Sequence, residues 1–349
     1  MTNINDARQT GYDAILVVSF GGPEAPEDVL PFLENVTRGR EIPKERLEEV
    51  ATQYDMFEGK SPINDHCRAL IAELGPALAA ADIDLPIYWG NRNWAPMLTE
   101  TVQRMADDGI KHALAFVTSS TSSYSGCRQY REDIERARAA IGENAPIIDK
   151  IRQYYDHPGF IEPMIDNTAA ALSMLPSDAR LVFTAHSLPN VMAATSDYEA
   201  QLTEASRLVA EGVGHADFDL VWQSRSGPPQ VSWLEPDIND HLEALATAGT
   251  KSVVMVPIGF ISDHMEVMFD LDVQAAATAE RLGLEFNRAH TVGADQRFVS
   301  AIVELIEERR NDGLQRGLGE LSIRPDFCAT DCCPAPTRPS IPAKRGPAR

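Results

Sequence analysis

The chain has 349 residues and carries 31 Lys and Arg against 52 Asp and Glu, a formal charge of −21. That balance argues against a nucleic-acid protein, because phosphate contacts need a basic footprint that the chain lacks. A hydrophobic share of 44% and a charged share of 24% are globular values, so disordered and fibrous classes are excluded and the length implies one large domain or two.

No apolar run reaches the roughly eighteen residues of a membrane span, and the opening MTNINDARQTGYDAI lacks the basic and apolar regions of a signal peptide. A cytoplasmic protein without stable membrane insertion is expected. In that compartment five cysteines are reduced, metal-bound or simply buried rather than disulfide-paired.

In chain order, an apolar strand is predicted at Ala14–Phe20, a helix at Asp65–Ala80, a strand at Ile87–Trp89 and a helix at Met97–Asp107. A strand at Ala113–Val117 and a helix at Asp133–Ile141 follow. The second half repeats the alternation with strands at Leu181–Ala185, Leu220–Gln223 and Val253–Ile258 and helices at Asp197–Val213, Asp237–Thr247 and Gln274–Leu282. Short apolar runs rich in Val, Ile and aromatics, separated by helices, mark an α/β protein with parallel sheets flanked by helices.

Two strand ends look alike: VVSFGGPE at Val17–Glu24 and VFTAHSLPN at Val182–Asn190. Two similar lobes facing a cleft would bring both ends to its mouth, where parallel sheets bind ligands. The boundary is expected between Asp156 and Asp178, giving lobes at 1–165 and 166–320. Residues 321–349 form a cysteine-containing tail, basic and expected to be disordered from about Arg338 onward.

Two places at strand ends offer chemistry. His186 follows the run LVFTA, so its ring should emerge at a sheet edge, although a polar residue there can simply cap a turn. The stretch Ser262-Asp263-His264-Met265-Glu266 follows VVMVPIGF, and a carboxylate such as Glu266 is stabilised in the first turn of a helix whether or not it has another role. Glu266 and Asp270 are four apart and would share a helical face. One imidazole and one carboxylate suit a first-row divalent ion, and either can accept a proton.

Cys328, Cys332 and Cys333 supply three thiols within six residues. With a fourth from Cys127 or Cys67 they would suit an iron–sulfur cluster or a structural zinc, and adjacent cysteines depart from the usual zinc spacing. Free thiols on a loose tail are the bland alternative. Phosphate-loop, dinucleotide and serine-hydrolase motifs are absent from the sequence. The hydroxyl-rich run Thr118–Ser123 can line a polar pocket or cap a turn.

Seven stretches then coincide in order: LVVSFGGPE, NVTRGREIP, YDMFEGKSPIN, YWGNRNWAPMLTETVQRMADDGI, FTAHSLP, LVWQSRSGPPQVSWLEPD and VPIGFISDHMEVMFDLD. Over roughly residues 12–312 the chain resembles the ferrochelatase family. The resemblance implies two Rossmann-like lobes, each with a four-stranded parallel sheet, clamping a porphyrin into which Fe²⁺ is inserted. It makes His186 the acceptor of pyrrole protons and a contact of the metal, and Glu266 the acidic residue opposite, in metal delivery or proton relay. Asp270 becomes an outer relay, while Gln274 stands where some relatives have a further Glu.

By the same resemblance Phe20, Gln53, Tyr54, Ser61 and Tyr130 contact the porphyrin or its carboxylates, with Thr37, Arg38 and Arg40 near the rim. Phe20 stands where relatives often carry Tyr or Met and cannot coordinate a metal. The cysteine-rich tail and the SSYSGC segment are similar to those of actinobacterial members. This implies a [2Fe–2S] cluster on Cys127, Cys328, Cys332 and Cys333, coproporphyrin III as substrate and transient contact with neighbouring haem-pathway enzymes. Protoporphyrin IX as the ring, a sirohydrochlorin-type chelatase and a non-catalytic tetrapyrrole or metal carrier are the competing readings.

Overall fold

The computed structural model describes residues 11–39, 42–215, 217–227, 230–311 and 313–336. The rim residue Arg40 and the end of the tail lie outside them. The described residues form eight strands in two sheets. The first holds β1 (Ala14–Ser19), β2 (Ile87–Asn91), β3 (His112–Val117) and β4 (Ile147–Lys150), in the order β2-β1-β3-β4. The second holds β5 (Arg180–His186), β6 (Phe218–Gln223), β7 (Ser252–Val256) and β8 (Glu285–Arg288), in the order β6-β5-β7-β8. All pairings are parallel.

The two sheets therefore repeat one topology, as the paired strand-end motifs imply. Their central strands are the apolar runs of the sequence. AILVVS, HALAFV and SVVMV are buried at every position, because helices cover both faces of a parallel sheet. The edge strands β4, IIDK, and β8, EFNR, escape the sequence reading. Each has four residues, at least half of them charged or polar, and no more than one of the four is buried.

The lobes share one core. Ile15, Val17, Leu114 and Phe116 of the first sheet join Leu181, Phe183, Val254 and Val256 of the second through Tyr154, Phe160 and Phe298. The chain crosses between lobes through residues 151–157, all buried. There Arg152 makes a two-toothed ion pair with Glu308 at 2.8 and 3.1 Å. The expected division after residue 165 falls inside the continuous helix Pro158–Leu172. The last helix, Gln296–Asn311, packs on both that helix and the first-lobe helix Ile63–Ala80.

A smaller cluster caps the strand ends. Val29, Phe32, Leu33, Leu47 and Tyr54, from the helices Pro26–Val36 and Lys44–Asp55, pack with Met265 of the second lobe. Residues 313–336 carry no helix or strand and run back over both lobes. Leu318 donates its N–H to Asp156 O at 2.9 Å, Arg324 pairs with Asp197, and Arg309 pairs with Asp326 at 3.1 Å. Among the described residues no helix is long and apolar enough to cross a membrane.

Candidate active site

His186 is the last residue of β5 and lies in register with Gln223, the last of β6. Its Nδ1 lies 2.6 Å from the carbonyl oxygen of Ser187. A carbonyl only accepts, so the ring proton sits on Nδ1 and Nε2 presents its lone pair. The backbone is held as well: Tyr198 donates its hydroxyl to His186 O at 2.9 Å, and its ring stacks on Trp222.

His186 Nε2 stands 3.8 Å from Glu266 Oε2, and both side chains reach solvent. Glu266 arrives by a different route. After β7 the loop from Pro257 crosses the end of β5, and a Cβ on Gly259 would sit 2.5 Å from that of Ala185, so only glycine fits the crossing. The short helix Met265–Val267 then begins, and Met265 donates its N–H to Ser61 Oγ at 3.3 Å. Arg288 clamps Asp263 and Asp272 on either side of this turn at 2.6 to 3.1 Å.

The segment Met268–Ala275 continues as a π-helix, a form that recurs at functional sites. Asp270 lies in it, and burial, with the neighbouring Glu266 charge, pushes its carboxyl up to about 6. Ser224 and Gln223 donate to its Oδ2, the latter at 3.3 Å. The Gln223 amide is oriented because its oxygen accepts from Thr184 Oγ1 at 3.1 Å. Burial holds His264 below its ordinary value, against the opposing pull of the Glu266 charge.

The first lobe supplies the other strand ends. Phe20, just past β1, is 36% exposed and meets Phe32 edge-on at 6.3 Å. The turn after it needs glycine, since Gly21 has φ +79° and packs against Asn91. Tyr54 lies among the aromatic rings of the capping cluster, and its burial, together with Glu266, raises its hydroxyl well above the usual range. Gln53 is half-exposed. Thr37 donates its hydroxyl to Leu33 O at 2.7 Å, and Arg38 is exposed at the end of that helix.

Ser61 and Tyr130 are buried. Ser61 joins the lobes through Met265, whereas Tyr130 belongs to the core behind the first sheet and lies under the Arg92 guanidinium at 4.7 Å. The sequence reading missed Arg92. It follows β2, spans Tyr130 and Phe20, pairs with Asp133 at 2.9 Å and donates to Ser125 O at 3.2 Å. Only its place in the stretch GNRNWAP, among the family-like motifs, could have flagged it.

The thiols gather elsewhere, where the tail meets the first lobe. Cys127 lies in the π-helical turn Tyr124–Arg128 and shares a hydrogen bond with Cys328. That contact lowers the Cys328 thiol to about 7 and, with burial, raises the Cys127 thiol. Cys332 Sγ and Cys333 Sγ are 3.5 Å apart. Arg128 ties the tail down by donating to the carbonyls of Thr330 and Cys332. Cys67 is buried apart from this group beside Ser19 and Arg68, and burial lifts its thiol to about 11. Among the described residues no three His, Cys, Asp or Glu side chains are grouped so as to hold a metal ion.

The order of site motifs can be set against known proteins. The ferrochelatase family pattern matches residues 12–310. The coproporphyrin III ferrochelatase of Nocardia farcinica is 54% identical over 346 residues, covering 94% of this chain and 98% of that one. The chain belongs to the ferrochelatase family. A further relative in that family, the ferrochelatase of Rhodopirellula baltica, is 50% identical over 96% of this chain and 97% of its own. A solved structure described as SirB from Bacillus subtilis with Fe³⁺ aligns over 86% of this chain and 97% of that one, at a TM-score of 0.53 and 12% identity. That likeness is one of fold: the ferrochelatase chain shares the two-sheet chelatase architecture.

Proposed function

We propose that this ferrochelatase is a lyase that inserts Fe²⁺ into coproporphyrin III, giving the iron coproporphyrin of haem biosynthesis. The observation that carries the chemistry is the pairing of His186 Nε2 with Glu266 Oε2 at 3.8 Å across two strand ends. The curated relatives that bear the name coproporphyrin III ferrochelatase over nearly the whole chain support the choice of ring.

Insertion exchanges two pyrrolic protons for one Fe²⁺, so the balance is one metal in and two protons out. His186 suits proton acceptance because its Nε2 lone pair faces outward while Nδ1 is tied to Ser187 O. Glu266, solvent-facing and on the same side, suits delivery of the iron, and either group can contact the metal as it sheds water. Asp270, deeper and held by Ser224 and Gln223, extends this acidic line as an outer relay. Phe20 offers a ring with no donor atom, so its role is apolar contact with the macrocycle. Tyr54, Gln53, Thr37, Arg38 and Arg40 belong to the porphyrin side in this reading, with Ser61 and Tyr130 acting from buried positions beneath it.

The same proposal includes a [2Fe–2S] cluster on Cys127, Cys328, Cys332 and Cys333. Support for it comes from the donor set: four thiols stand as two close pairs, and cavities of about 540 and 420 Å³ flank them. Cys67, facing Ser19, fits this set less well than Cys127. The cluster's binding free energy would add to folding, holding the tail on the body. A cytoplasmic location and transient contacts with neighbouring pathway enzymes complete the proposal.

The test is an anaerobic metallation assay. Faster Fe²⁺ insertion into coproporphyrin III than into protoporphyrin IX is expected, with His186→Ala and Glu266→Ala retaining porphyrin binding while losing about 10² or more in rate. An iron–sulfur absorbance present before substrate and absent in Cys332→Ser checks the cluster. Unchanged metallation in both alanine variants overturns the site; preference for protoporphyrin IX overturns the ring alone.

A further inference from the structure

The reading of a cluster on four cysteines leaves open what governs its ease of reduction. Charged side chains surround the two thiol pairs, Lys150 and Arg131 near Cys127 and Arg324 near Cys332, but a buried neutral donor on a sulfur is a different kind of contact. Gln153 lies on the buried crossover between lobes, 2% exposed, and its Nε2 donates to Cys127 Sγ at 2.7 Å. Its position is tightly held, since Arg152 before it is locked on Glu308 and donates to the Gln153 carbonyl at 3.0 Å. Tyr154 after it donates to Val117 O at 2.9 Å and stacks on Phe116. On the other pair the nearest donor is Arg324, whose guanidinium is 3.8 Å from Cys332 Sγ and also serves Asp197.

We infer that Gln153 is a positioning and potential-setting residue of the iron–sulfur site: its amide N–H fixes the Cys127 sulfur and stabilises the added electron when the cluster is reduced. The inference rests on the cluster reading above. Its physical basis is general: a hydrogen bond to a ligand sulfur withdraws charge, so it favours the more negative, reduced state and raises the reduction potential. An amide buried on the lobe crossover cannot swing away to solvent, so its effect is not diluted by motion. An amide whose only task was to fill space would need no sulfur acceptor, and a leucine would serve there as well.

The experiment is a reductive titration of the full-length holoprotein with dithionite, followed by the visible spectrum and by the paramagnetic signal of the reduced cluster. Iron and acid-labile sulfide are counted on each sample. Gln153→Leu and the length-conserving Gln153→Met should keep the wild-type iron and sulfide content and shift the midpoint potential downward, and Gln153→Glu, whose carboxylate donates no N–H and adds negative charge, should lower it at least as far. A midpoint that stays at the wild-type value in a fully loaded Leu or Met variant overturns the inference. So does failure of both variants to load, which would make Gln153 a residue needed for assembly of the site and not one that sets the potential. Absence of iron and sulfide from the wild-type protein itself would instead overturn the cluster reading.

Discussion

At the scale of single residues the groups of the proposed site stand in different environments. His186 and Glu266 both reach solvent, whereas Asp270 is more buried and burial raises its carboxyl to about 6. An acceptor of metal or protons has to be ionised, so metallation should fall as pH drops through about 6. Asp270→Asn should flatten that acid limb and slow insertion at pH 7.5 by about tenfold, short of the loss expected for a direct proton-transfer group. The stability effect has the opposite sense. The folded protein holds the Asp270 proton more tightly than the unfolded chain, whose carboxyl titrates near 3.8. Ionising it therefore costs stability as pH rises from about 4 to about 6. The asparagine variant should accordingly melt higher than the native protein at pH 7.5 and match it at pH 4, and equal differences at both values would rule out Asp270 as the source.

At the scale of elements, the join between lobes is a charged pair in an apolar setting. Arg152 and Glu308 are both almost wholly buried and meet at 2.8 Å. Removing one partner strands the other, so Glu308→Ala should cost about 3–5 kcal/mol. The double variant Arg152→Met with Glu308→Leu should recover most of that loss but not all, because Arg152 also donates to Gln153 O and Arg316 O. Urea midpoints of the two variants and the native protein check this, and a double variant as unstable as the single one would mean that those carbonyls dominate. None of this was legible in the sequence, where Arg152 and Glu308 lie far apart in unremarked stretches. What was legible followed from local pattern. The six apolar runs are six of the strands, because a strand buried on both faces is apolar at nearly every position. The edge strands β4 and β8, with Asp149, Lys150, Glu285 and Arg288, carry no such run. His186 and Glu266 stand out in the sequence because they follow apolar strands, whereas Arg92 and Gln153 contact partners distant in sequence and show no pattern of their own.

At the scale of the whole molecule, the repeated sheet topology describes two lobes, yet their packing makes one body. Phe116 of the first sheet, Phe183 of the second, and Tyr154, Phe160 and Phe298 between them belong to a single core cluster. The helix Gln296–Asn311, last in sequence, packs on the first-lobe helix Ile63–Ala80. If one lobe unfolded alone, the other would be left with these side chains in water, at roughly 1.5–3 kcal/mol each. That is a large part of a total stability on the order of 5–15 kcal/mol, so a half-unfolded state should not accumulate. The tryptophans test it directly, since Trp89 and Trp94 lie in the first half of the chain and Trp222 and Trp233 in the second. A variant with Trp222→Phe and Trp233→Phe reports the first lobe, and one with Trp89→Phe and Trp94→Phe reports the second. Their urea midpoints should coincide with each other and with the loss of helical circular dichroism. Two separated transitions would mean that the shared core couples the lobes too weakly to bind their folding together.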